Sequence, residues 1–210
     1  MENMIKNFIF DFGNVLYRIA PERTFERFAV LTNKPLELVF DFPAAAAELI
    51  EHYEAGLITS IEFRQGMKVE YGLSISDKDF DAAWNLTLVG LYDDSIAILE
   101  KFESIGRIFL LSNTSEIHYD YFEQECREMF ALFEQHYFSY RLGMVKPDPH
   151  IFELVIKERQ LNPAETLFID DSIINIKSAE QCNLKVHHLE NHDSLKAVFL
   201  SYFAKYSKQI

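Results

Sequence analysis

Four places in this chain carry side chains able to do chemistry, and each follows a short, apolar, β-rich run. Asp11 follows residues 6–10, Ser112 and Asn113 follow 107–111, Lys146 lies a loop beyond 136–140, and Asp170 and Asp171 follow 166–169. A carboxylate can attack as a nucleophile or hold a hard cation. A hydroxyl and a backbone amide at a helix N-terminus form an anion site, and an ammonium offsets crowded negative charge. A lone aspartate after a strand is an ordinary turn residue or helix cap. Carboxylates, a hydroxyl and an ammonium at separate strand ends point to one shared site.

The elements that must position them alternate. A fifth apolar run covers 184–188, and helical patterns fall at roughly 93–105, 114–130, 148–160 and 172–182. Such alternation predicts a parallel sheet with helices on both faces, and open parallel sheets bind ligands beyond the carboxyl ends of their strands. Residues 18–90 contain no convincing strand and read as several helices. Ala44 to Ala47 after Pro43 reads as a helix start, and Gly56 as a stop. Thr59 with Glu62 makes a capping box, Gly72 another stop and Ser76 another cap. On helix 114–130, Tyr119, Phe122, Cys126 and Phe130 make a core stripe.

At this point the chain resembles a known family. Phe8-Ile9-Phe10-Asp11-Phe12-Gly13-Asn14-Val15 is similar to the first motif of the haloacid dehalogenase superfamily, and Leu110-Leu111-Ser112-Asn113-Thr114 to the second. Gly143-Met144-Val145-Lys146-Pro147-Asp148-Pro149 resembles the third, and Phe168-Ile169-Asp170-Asp171-Ser172 with Asn175 the fourth. The local wording is nearest the branch of α-glucose-1-phosphate phosphatases and the phosphatase domains of soluble epoxide hydrolases. The resemblance implies an α/β fold. Residues 1–17 and 91–210 would form a Rossmann-like parallel-sheet core with helices on both faces, and 18–90 an inserted helical cap domain. It also implies a magnesium-dependent phosphatase acting on a small phosphorylated metabolite. Asp11 would be the nucleophile, forming an aspartyl-phosphate, and Asp11, Asp171 and the Gly13 carbonyl would hold Mg2+. Ser112, Asn113, Lys146 and Asn14 would bind the phosphate, while Asp170 and Asn175 would support the site from behind.

One position departs from that pattern. Most phosphatases of the family carry a second aspartate two residues after the nucleophile, which protonates the leaving group; here it is Gly13. Proton transfer by a positioned group is typically worth about 10²–10⁴-fold in rate. Its loss favours esters with acidic alcohols, so sugar 1-phosphates are expected to outperform sugar 6-phosphates. Two other readings stay open: a 2-haloacid dehalogenase-like hydrolase, which needs no metal, and a non-catalytic binding protein that keeps the fold. The Asp170–Asp171 pair favours the phosphatase over the first, and the complete set of polar residues counts against the second.

Composition narrows the rest. A formal net charge of −13 argues against a nucleic-acid partner, which needs a basic face. No apolar run is long enough to span a bilayer, and the first residues lack the pattern of a signal peptide. Cys126 and Cys182 form neither a disulfide framework nor a metal-ligand spacing. A cytoplasmic protein with no membrane partner is expected; no feature assigns an oligomeric state. His187, His188 and His192 fall away from the other motifs and read as surface or packing residues. His118 follows the second motif and could approach the site but reads first as a helix-face residue, and Trp84 reads as core.

Overall fold

The computed structural model describes residues 4–40 and 43–206. Residues 1–3 and 207–210, which the sequence-based core boundaries include, lie outside the described residues. Seven strands are present among them: β1 (Asn7–Phe10), β2 (Tyr17–Ile19), β3 (Leu88–Leu91), β4 (Arg107–Ser112), β5 (Gln135–Phe138), β6 (Thr166–Asp170) and β7 (Lys185–His188). Five of them form a parallel sheet in the order β5-β4-β1-β6-β7.

The three central strands, β4, β1 and β6, are apolar almost throughout because both faces of the sheet are covered there. Successive side chains point to opposite faces. Ile9, Phe109, Leu111 and Phe168 pack on one side against Phe152 and Val155 of helix Pro149–Arg159 and Ile176 and Ala179 of helix Ile173–Gln181. Phe8, Phe10, Leu110 and Ile169 pack on the other against Phe102 of helix Ser95–Glu103 and Val198 and Phe199 of helix Leu195–Tyr206.

Between β2 and β3 lie five helices: α1 (Glu22–Thr32), α2 (Leu36–Phe40), α3 (Ala44–Glu54), α4 (Ser60–Tyr71) and α5 (Asp77–Trp84). They close around their own apolar cluster, in which Phe28, Phe63, Met67 and Phe80 are fully buried. The local signals act as their chemistry predicts. Thr59 and Glu62 form a reciprocal capping box at the start of α4, and Gly72 ends that helix in the left-handed conformation. Ser76 caps α5 by accepting from the Asp79 amide. Gly56, at φ +67°, lies against the body of the protein, where a Cβ would collide with the Tyr140 carbonyl.

Three sequence expectations change. The 18–90 segment does contain strand: β2 and β3 pair antiparallel at the root of the helical insert. Elements of three and four residues are too short to show a period in sequence. The predicted helix 114–130 is two helices, Glu116–Phe122 and Arg127–Phe130, although Phe122, Cys126 and Phe130 are buried as expected. The run 136–140 leaves the sheet after Phe138, where a short helix Ser139–Leu142 begins. Among the described residues, no helix is long and apolar enough to cross a membrane.

Candidate active site

β1 is the central strand, with β4 on one side and β6 on the other. Phe10 pairs with both Leu110 and Ile169, so the three strands end level with one another. Asp11, Ser112 and Asp170 therefore emerge side by side at the carboxyl edge of the sheet. The strand order also reverses at β1, which opens a crevice between the loops leaving the strands.

Lys146 has farther to come, because β5 is separated from β1 by β4. Asn113 holds it in place. The Asn113 side-chain amide donates to the Lys146 carbonyl at 2.8 Å, and its oxygen accepts from the Lys146 backbone N–H at 2.8 Å. The Lys146 ammonium then donates to Asp11 Oδ1 at 2.5 Å and Asp170 Oδ2 at 2.7 Å. Lys146 is only 4% exposed and Asp170 is fully buried. Burial disfavours the ammonium, but the two carboxylates outweigh it and raise its pKa. At Asp11 burial wins: the carboxyl is pushed up to about 7, with Lys146 opposing and Asp170 adding to the rise.

One oxygen from each of Asp11, Asp170 and Asp171 lies within 4.8 Å of the others. Three clustered carboxylates, with only oxygen donors, fit a hard divalent cation such as magnesium. The hydrogen bonds separate their roles. Both Asp170 oxygens are engaged, by Lys146, by the Ser172 N–H at 2.7 Å and by the Asn175 amide at 3.0 and 3.1 Å. Among the described residues, the Asp171 carboxylate accepts only from the Asn14 amide, on Oδ2 at 3.0 Å. Asp11 and Asp171 thus have oxygens left for a cation, while Asp170 anchors Lys146. Asn14 and the Asn113 side chain are committed to protein partners, and Asn175 reaches Asp170 alone. Among the described residues, the hydroxyl of Ser112, which is 2% exposed, has only a 3.2 Å contact to the Asn113 carbonyl.

Beside these residues lies a cavity of about 350 Å³. Gly13, Ser112, Asn113 and Thr114 form its floor, and Glu54, Trp84 and apolar residues of the helical insert form its roof. The sequence reading passed over Glu54, because an acid in the last turn of an amphipathic helix looks like surface. Trp84, read as core, and His118, read first as a helix-face residue that could approach the site, stack on each other with ring centroids 5.5 Å apart and both line the cavity. Burial pushes His118 down to about 3, so it stays neutral. His192 stacks on Tyr92, centroids 3.8 Å apart, and His188 Nε2 donates to the Asp171 carbonyl at 2.8 Å.

A metal-binding test follows from the charge balance. Asp11 and Glu54 have folded-state pKa values raised to about 7, above their unfolded values. The folded state then holds their protons longer, so their contribution to stability is full below the unfolded pKa and is lost as pH rises through about 7. In chelator, the thermal midpoint should fall between about pH 5 and pH 8. Magnesium should raise it more at the higher pH, and Asp171→Ala should remove most of that increment. A magnesium increment that is equal at both pH values would contradict this assignment.

The family model described as haloacid dehalogenase-like hydrolase matches residues 5–183. A D-ribitol-5-phosphate phosphatase of Bacteroides thetaiotaomicron is 28% identical over 199 residues, which is 90% of this chain and 93% of the relative. A HAD family enzyme from the same organism, solved with magnesium and inorganic phosphate, is 35% identical; the match covers 87% of this chain and 93% of that one, with a TM-score of 0.75. A predicted HAD-like hydrolase from Porphyromonas gingivalis is 27% identical over 88% of this chain and 91% of its own, also with a TM-score of 0.75.

Proposed function

Because this chain belongs to the haloacid dehalogenase-like hydrolase family, we propose that it is a magnesium-dependent phosphatase acting on a small phosphorylated sugar or polyol. The observation that carries the proposal is the Lys146 ammonium, buried between Asp11 and Asp170 with Asp171 alongside. The helical insert acts as a cap over the cavity. Asp11, Asp171 and the Gly13 carbonyl would hold magnesium, which supplies positive charge that screens the phosphate from the carboxylates.

The chain's own groups divide the remaining work. Phosphoryl transfer needs an in-line nucleophile and positive charge around the equatorial oxygens. An oxygen of Asp11 attacks phosphorus, the bond to the leaving oxygen breaks, and an aspartyl-phosphate forms. Lys146 and the Ser112 hydroxyl bind the phosphate oxygens. Water then attacks phosphorus and returns Asp11 as a carboxylate. Cys126 and Cys182 are both free, which fits a reducing, cytoplasmic setting.

Within this class two esters compete. The resemblance to glucose-1-phosphate phosphatases, together with Gly13, favours a sugar 1-phosphate, whose anomeric oxygen leaves without full protonation. The relative named for D-ribitol 5-phosphate favours a primary phosphate, which needs an acid. The experiment is kcat/KM for matched 1- and 6-phosphates of one sugar, with magnesium and with chelator. A preference of about a hundredfold or more for the 1-phosphate, within the range one missing acid commands, supports the anomeric ester, and equal values support the primary one. Magnesium-independent release of halide from a 2-haloacid, with no phosphatase activity, would replace the proposal by the dehalogenase reading.

A further inference from the structure

The missing acid at position 13 has a candidate substitute on the other wall of the cavity. Glu54 is the last residue of α3 and lines the cavity with Gly13, Ser112 and Asn113. Among the described residues its carboxyl makes no hydrogen bond and no ion pair. An uncommitted carboxyl in a largely apolar cavity is costly to leave ionised and finds no protein donor.

Its position is held from both sides. Tyr53, 3% exposed, accepts from the Ile117 N–H at 3.0 Å through its hydroxyl, which also shares a 2.7 Å hydrogen bond with Ser60. Gly56 follows two residues later, pressed against the Tyr140 carbonyl. The end of α3 is therefore tied to the body of the protein immediately before and shortly after Glu54. The helix delivers the carboxyl to the cavity as a fixed group, not as one on a loose surface turn.

Resting on the phosphatase reading above, we propose that Glu54 is the proton donor to the leaving oxygen, supplying from the cap the acid that Gly13 lacks. As Asp11 forms its bond to phosphorus, the Glu54 carboxyl proton passes to the departing oxygen, which leaves as a neutral alcohol. Glu54 is then a carboxylate. It takes a proton from the water that attacks the aspartyl-phosphate, so Asp11 is freed as a carboxylate and Glu54 returns to its acid form. Its chemistry suits both halves: burial pushes the carboxyl up to about 7, with the Lys146 ammonium opposing and Glu51 adding a little. A general acid works best with a pKa near the working pH.

The test is leaving-group dependence. Para-substituted phenyl phosphates from 4-nitro to 4-methyl keep nearly one shape while the acidity of the phenol changes. Phenol release is measured in a single turnover, with magnesium, in the parent and in Glu54→Gln. In the parent the rate should depend only weakly on phenol acidity. In Glu54→Gln it should fall about 10²-fold or more for 4-methylphenyl phosphate and less than about fivefold for 4-nitrophenyl phosphate, whose phenolate leaves unaided. A merely structural role would lower both alike, and such parallel losses would overturn the proposal. A steep dependence already present in the parent would overturn it without any variant. Uniform losses with phosphatase activity intact reject Glu54 alone; a parent that hydrolyses no phosphate ester rejects the phosphatase reading and this proposal with it.

Discussion

Asp11→Asn should abolish turnover while leaving the fold intact. Loss of a nucleophile in other covalent catalysts costs on the order of 10⁴-fold or more in kcat, and a similar loss is expected here. The amide oxygen of asparagine is a poor nucleophile, and its attack would give no stable acyl phosphate. The substitution is nearly isosteric and removes one negative charge from the three-carboxylate cluster, so stability should hold or rise in chelator. Circular dichroism and a thermal melt check the fold, and phosphate release with magnesium checks the chemistry. Turnover within about tenfold of the parent in a purified Asp11→Asn preparation would refute attack by Asp11, because an amide cannot stand in for the attacking carboxylate.

The second large effect belongs to Lys146→Met. This change should damage stability as well as activity. Lys146 is buried between Asp11 and Asp170, and Asp170 has no exposure to water. Removing one partner of a buried ion pair typically costs about 3–5 kcal/mol, because the remaining charge stays buried and uncompensated. Urea denaturation at neutral pH in chelator should show a loss of that size. Adding Asp170→Asn should recover part of it, since asparagine carries no charge and can still accept from Ser172 and Asn175. The double variant should therefore be more stable than Lys146→Met alone, while remaining inactive. If Lys146→Met unfolds at the parent's urea midpoint, the pair contributes no net stability and Lys146 acts on the phosphate alone.

These two residues also mark how far the sequence could be read. Asp11 was legible from its own surroundings. An aspartate after a buried strand and before Gly13-Asn14 is a local pattern, and local backbone preferences place it at a strand end wherever the sheet forms. The apolar runs that became β1, β4 and β6 were legible for the same reason: they are covered on both faces, so nearly every residue must be apolar. The caps at Thr59, Gly72 and Ser76 were readable because each is satisfied within a few residues of itself.

The pairings among distant segments were not readable. The sequence shows Asn113 as a phosphate-binding candidate near a helix start. Only the tertiary structure reveals that its amide binds the Lys146 backbone, 33 positions away, and so carries the ammonium past an intervening strand. Nothing local marks Asp170 as the partner of that ammonium, since the same residue could have capped the helix that follows. The short pair β2 and β3 has no period to detect, because its strands are stabilised by one another across the whole helical insert. Glu54 is the sharpest case. Along the chain it is an acid at the end of an amphipathic helix, a position that ordinarily faces water. It lines the cavity because Tyr53 and Gly56 press α3 onto residues 117 and 140. By itself, then, the sequence determined which groups could react and which strands would carry them, because strand burial and helix capping are short-range effects. Which groups meet, and which acid faces the leaving oxygen, was decided by contacts between segments far apart in the chain, and those exist only once the core has closed.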